Sequence, residues 1–245
     1  MLRQIRKLLK QTPWAPVDIG YYLRWRYLRR LVKLPSGGLV LDAGCGPGLS
    51  LVALARLFPD MRFVGCDSDL AWFHEVQTDP LPPNLSVRVV DLLAFDEGEV
   101  YDYILTQHTL EHIPGNRQAL ANLFRSLKPG GLIYIDLPHD KGHHRIFPRQ
   151  WLREYHDLVA SQHIGEQYSL PELTGLMEQI GFEVVYKTLC CGLVGRFALE
   201  ADRLITPVLW LRALAMPLLK TLAILDFYLP KKKGDVIAIG RKPAT

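Results

Sequence analysis

The run VLDAGCGPGLS (40–50) carries the densest chemistry in the sequence: Asp42, then Gly44, Gly46 and Gly48 at alternate positions. Glycines spaced in this way permit a sharp turn and a close ligand approach that a Cβ would obstruct. Where such a turn opens a helix, free N–H groups and a partial positive charge face the ligand. Two further acids follow. Asp67 comes 23 residues after Gly44, where a carboxylate can take both hydroxyls of a ribose by charge-assisted hydrogen bonds. Asp91 is expected within reach of a bound base. A dinucleotide fingerprint fails because Leu49 occupies the third glycine position, and a P-loop fails because no Gly-Lys-Ser/Thr follows. The pattern fits a nucleoside that carries no pyrophosphate.

Histidines are the natural proton acceptors near neutral pH. His108 comes directly after one predicted strand, and His139 and His143 follow the next, in LPHDKGHHRIFP. Each is a candidate general base toward a hydroxyl, a role worth roughly 10²–10⁴-fold in rate. His112 reads instead as a capping or packing residue. The spacing of His139, Asp140, His143 and His144 matches no established ligand pattern, and the four cysteines form no CxxC pair, so no metal is expected.

Positioning these residues falls to a regular alternation of elements. Strands are predicted in GLVLDAG (38–44) and over 61–67, 85–91, 100–107, 131–138, 182–189 and 235–242. Helices are predicted over 49–58, from about 69, and over 116–127, the last stopped by KPGG. Ser169 and Glu172 form a capping-box pair at the head of another helix that ends before Gly181. This alternation specifies an α/β fold with a doubly wound, mostly parallel sheet and ligands at the strand carboxyl ends. Two parts stand outside it: a basic helical arm over 1–37, and an apolar helical insertion over 192–233 between the last two strands.

At these residues the sequence resembles the class I S-adenosylmethionine (SAM)-dependent methyltransferases, in particular the bacterial group with an LDxGCGxG first motif. The resemblance covers about residues 38–189 and 234–242, supported by FVGCDSD (63–69), YDYILTQHTLEHIPG (101–115) and LFRSLKPGGLIYIDLP (123–138). It implies a Rossmann-like seven-stranded sheet with an antiparallel last strand, and a SAM-binding domain over 38–245. It also implies a cofactor site of Asp42, Gly44, Cys45, Gly46, Gly48, Asp67, Ser68, Asp91, Leu92, Gln107 and His108. Within that set Gly44, Cys45 and Gly46 would line the amino-acid part, Asp67 the ribose, and Asp91 and Leu92 the adenine. Gln107 and His108 would flank the methionine end.

The chain has 245 residues, 49% of them hydrophobic and 22% charged, which suits a globular domain and excludes disorder and a disulfide miniprotein. Its net charge of +4 is unevenly spread: residues 1–38 carry +8 and the remainder −4. Between 204 and 229 an apolar stretch is interrupted by Pro207, Pro217, Arg212, Lys220 and Asp226, which argues against a membrane span. Two short helices lying in a bilayer interface fit better, with Lys231–Lys233 suited to anionic lipid. A lid over the acceptor pocket is the competing reading. The charge is confined to the arm, which argues against a nucleic-acid partner. With no apolar leader, the expected location is cytoplasmic, peripheral at the inner membrane face. The expected activity is methyl transfer to a small-molecule, lipid-linked or glycan acceptor, at a hydroxyl. A SAM-binding adaptor without transfer, or a nicotinamide oxidoreductase, which Leu49 disfavours, are the alternatives.

Overall fold

The computed structural model describes residues 18–34, 36–77, 79–139 and 146–244. His143 and residues 1–17 of the basic arm lie outside them. The chain divides into two compact units, a sheet unit within 33–139, 161–188 and 236–245, and a helical unit within 1–32, 140–160 and 189–235.

In the sheet unit, β1 (Leu39–Ala43) lies between β2 (Arg62–Asp67) and β4 (Tyr101–Gln107), parallel to both. β3 (Leu85–Val89) extends one side and β5 (Leu127–Leu137) the other, again parallel. β7 (Asp235–Arg241) then runs antiparallel to β5 and separates it from β6 (Glu183–Cys190), giving the order β3-β2-β1-β4-β5-β7-β6. This is the doubly wound, mostly parallel seven-stranded sheet expected, antiparallel last strand included.

The central strands read as unbroken apolar runs because both their faces are covered. Val40, Leu41, Ile104, Leu105, Ile133 and Ile135 are all fully buried. Cover comes from helices whose apolar residues recur at helical spacing: Leu51, Leu54 and Ala55 in one (Leu49–Leu57), Ala119, Leu120 and Leu123 in another (Asn116–Ser126). A third (Leu170–Ile180) contributes Leu173, Leu176 and Met177, starts where Glu172 Oε2 accepts from the Ser169 N–H at 2.7 Å, and ends at Gly181.

The sheet departs from expectation at KPGG. Residues 127–130 were expected to end a helix and loop into a strand at 131, but β5 already begins at Leu127. Tyr101 pairs with Leu127 and Tyr103 with Leu132, so the extra residues form an irregularity inside the strand. Gly130 N–H donates to the Lys242 carbonyl and Lys242 N–H to that of Gly131. Tertiary pairing thus satisfies groups that a local reading assigns to a turn.

The described helices are numbered α1 (Ile19–Leu31), α2 (Leu49–Leu57), α3 (Ala71–Val76), α4 (Asn116–Ser126), α5 (Arg153–Gln162), α6 (Leu170–Ile180), α7 (Leu193–Ile205) and α8 (Leu209–Tyr228). In the helical unit, α1 packs on α7 and α8. The stretch 204–229, expected as two short helices, is the end of α7 and one 20-residue helix that continues through Pro217.

Buried carboxylates hold this unit together. Asp202 takes both Nε and a terminal nitrogen of Arg212, at 2.6 and 3.0 Å, and accepts from the Ile19 N–H. Glu200 accepts from Arg196 Nε and from the backbone of Ile146 and Phe147. Asp226 accepts from the Gly195 N–H and the Tyr27 hydroxyl, each at 3.0 Å, with Lys231 Nζ at 4.0 Å. Asp226 is 1% exposed. Asp226→Ala strands two donors and a cation, and should cost about 3–5 kcal/mol of unfolding free energy. Urea denaturation measures this, and a loss below about 1 kcal/mol would show that the network does not hold the helices.

Candidate functional site

A cleft of about 410 Å³ opens at the carboxyl ends of the central strands, where the strand order reverses between β1 and β4. Its floor is the glycine turn after β1. Gly44 has φ +79°, and a Cβ there would stand 2.1 Å from Thr109 Cγ2. The missing side chain lets the turn lie against Thr109, whose hydroxyl donates to the Gly44 carbonyl at 3.2 Å. Gly48, with φ +68°, similarly makes room for the Phe73 ring. The Gly44 and Cys45 N–H groups donate to the Cys66 carbonyl, and the Gly46 N–H donates to Asp67 Oδ2 at 2.8 Å. One carboxylate therefore fixes the loop and faces the cleft.

Asp42, the penultimate residue of β1, lies behind this loop and is 3% exposed. Burial, reinforced by the charge of Asp67, pushes its carboxyl up to about 7. The folded state therefore holds a proton that the unfolded chain releases near pH 4. The associated stability is complete below that value and lost as pH rises through 7. The loss amounts to at most about 4 kcal/mol. Asp42→Asn should remove it, flattening the decline in thermal stability between about pH 4 and 7. A variant declining as steeply as the parent protein would assign the pH dependence elsewhere.

His108 follows β4 with φ +51°, a left-handed conformation uncommon for a side chain other than glycine. Its N–H donates to the Asp136 carbonyl at 2.8 Å. The ring lies between two buried carboxylates: Nδ1 is 3.4 Å from Glu111 Oε1 and Nε2 is 3.9 Å from Asp136 Oδ1. Glu111 sits in a short 3₁₀ turn, Leu110–His112, braced by residues 162–168. There the Gly165 N–H donates to the Glu111 carbonyl, and Asn116 Nδ2 to the carbonyls of Leu110 and Glu166. Held strain of this kind recurs at functional sites.

Of the residues expected at the cofactor, Gly44, Gly46, Asp67, Ser68, Asp91, Leu92 and His108 line the cleft. Asp42, Cys45, Gly48 and Gln107 are not among its lining residues. Neither is His139, half-buried beyond the end of β5. The cleft also gathers residues the sequence reading missed: Trp72, Thr109, Ile113, Gln162, and His112, whose Nδ1 contacts the Gln162 carbonyl at 2.8 Å. Trp72, an aromatic five residues past Asp67, carried a local signal; Gln162, 50 residues beyond His112, carried none. Glu111, His112 and His163 also present ligand atoms within 4.8 Å of one another, a set able to take a divalent ion.

Residues 18–187 match the family described as a methyltransferase domain. The trans-aconitate 2-methyltransferase of Azoarcus sp. (strain BH72) is 30% identical over 131 residues, covering 51% of this chain and 51% of the relative. That of Deinococcus radiodurans is 29% identical over 129 residues, covering 49% and 46%. The chain thus spans about half the length of the curated relatives it matches. Among solved structures, Haemonchus contortus phosphoethanolamine N-methyltransferase 2 in complex with SAM shares the fold, with TM-score 0.61 and 19% identity over 91% of this chain and 52% of that one. A SAM-dependent methyltransferase from Mesorhizobium loti superposes with TM-score 0.62 and 15% identity, covering 91% and 99%.

Proposed function

The chain belongs to the methyltransferase-domain family, and on that premise we propose that it moves a methyl group from SAM to a hydroxyl of a small-molecule, lipid-linked or glycan acceptor near a membrane surface. The charge of the cleft carries this reading. Asp67, Asp69 and Asp91 line it, and among the described residues no Lys or Arg does. Such a cleft repels the phosphates of a dinucleotide and attracts a cationic nucleoside. SAM is such a ligand, carrying sulfonium and ammonium charges beside its adenosine. Asp42, behind the wall, adds a carboxyl that a bound cation would favour in its charged form.

Asp67 is the residue for the ribose, Asp91 and Leu92 for the adenine, and Gly44 and Gly46 for the amino-acid end. When bound, SAM supplies an electrophilic methyl carbon on a positively charged sulfur. An attacking hydroxyl must give up its proton, and in this reading His108, which lines the cleft, takes it. Glu111 and Asp136 would stabilise the resulting imidazolium from two sides. Holding the acceptor in line is the other requirement, and proximity of that kind is worth up to about 7–11 kcal/mol in favourable systems.

Calorimetry followed by a transfer assay tests the reading. SAM and S-adenosylhomocysteine should bind and NAD should not. Label from methyl-tritiated SAM should then appear in an extracted lipid or glycan pool. Binding of NAD would overturn the assignment, and SAM binding with no transfer to either pool would favour the adaptor.

A further inference from the structure

α8 is amphipathic in the wrong direction for a helix that meets only water. Two of its charged residues face the protein: Arg212 is clamped by Asp202, and Asp226 is buried against Gly195 and Tyr27. Outward, Trp210, Leu214, Leu218, Leu225 and Tyr228 recur every three or four residues, with Thr221 as the one polar member of the row. The five large side chains are between 46% and 71% exposed. They form a row about 27 Å long, at 1.5 Å per residue, apolar except at Thr221. Soluble surfaces rarely carry such a patch without a partner.

The stripe runs into a cationic groove. Tyr228 belongs to both, and the groove, of about 390 Å³, is otherwise lined by Tyr22, Trp25, Phe227 and the guanidinium groups of Arg26, Arg29 and Arg30. Arg30 stands over the Phe227 ring and Arg29 over that of Trp25. Among the described residues none of the three arginines is paired with a carboxylate. Lys232 and Lys233 follow the helix, exposed, whereas Lys231 turns inward over Tyr27 and does not join them.

We propose that this face docks on an anionic lipid bilayer, with the α8 stripe immersed at the acyl boundary and the three-arginine groove on lipid phosphates. Apolar burial and cation–phosphate attraction on one surface are what interfacial binding requires. Aromatic rings beside the arginines suit headgroup depth. No described helix is long and apolar enough to cross a membrane, so α8 would lie in the interface. A second copy of the chain is the other candidate occupant, but two-fold packing would bring like-charged arginine groups together. The inference deepens the membrane-proximal part of the proposed function, yet it is read without cofactor or turnover, so its failure leaves methyl transfer standing.

The test is co-sedimentation of the full chain with phosphatidylcholine vesicles, with and without about 30% phosphatidylglycerol. Binding is expected to the anionic vesicles and to weaken in salt. Replacing Arg26, Arg29 and Arg30 together by Gln should weaken it about 10²-fold at low salt. Leu214→Ser with Leu218→Ser should abolish it, with SAM affinity unchanged as the control for folding. Should either variant misfold, brominated-lipid quenching that falls in Trp210→Phe relative to the parent chain supplies the readout. No binding of the parent chain to anionic vesicles at low salt overturns the proposal. So does equal binding to neutral vesicles, unchanged binding by both variants, or a dimer that the leucine substitutions dissociate.

Discussion

Asp67→Ala is expected to weaken SAM binding by two to three orders of magnitude. The carboxylate has two tasks in the cleft. It accepts the Gly46 N–H at 2.8 Å, which holds the glycine loop, and in the proposed complex it accepts the ribose hydroxyls. Hydrogen bonds to a charged acceptor contribute about 1.5–3 kcal/mol each, so losing them costs about 3–4 kcal/mol in all. At about 1.4 kcal/mol per factor of ten this gives the stated loss. Asp67→Asn keeps an acceptor oxygen without the charge and should lose only about tenfold. Titration calorimetry with S-adenosylhomocysteine measures both variants without turnover. Unchanged affinity in the Ala variant would move ribose recognition to Asp69 or Asp91.

The second large effect is expected at His108. Removing a general base lowers kcat by about 10²–10⁴-fold and leaves cofactor affinity alone. The left-handed backbone complicates an Ala substitution, because alanine tolerates that conformation poorly. Asn tolerates it better, so His108→Asn separates loss of the base from loss of the loop. Its kcat should fall by the full factor while SAM affinity stays within about threefold. A variant retaining the parent rate would show that the acceptor needs no base from this residue, as for an amine or carbon nucleophile.

Much of the sheet was legible because buried parallel strands leave a simple mark, short apolar runs ending in Asp42, Asp67 or Gln107 and followed by turn or helix signals. The cofactor side of the cleft was legible for the same reason, since one acid per strand end keeps a fixed place in the order. Three things were hidden. KPGG carries every mark of a turn, and only the partner strands show that it is held inside β5. Pro217 reads as a helix end, yet tertiary packing of Met216 and Leu219 carries α8 through it. The helical unit draws on segments far apart in sequence, so the inward aim of Arg212 and Asp226 could not be inferred from α8 alone. Read in isolation, those charges break an apolar stretch; folded, they are its interior.

The position of β7 also has a consequence for synthesis. The last strand in sequence is interior to the sheet, and among the described residues β6 neighbours only β7. While the chain is being translated, strands β1 to β5 can associate as they emerge, but β6 must wait, unpaired, for some 45 residues more. During that interval both the open edge of β5 and the apolar helix α8 are available to chaperones. Closure of the sheet is therefore a late, post-emergence event, and the nascent chain is most exposed to misassociation just before residues 235–241 leave the ribosome.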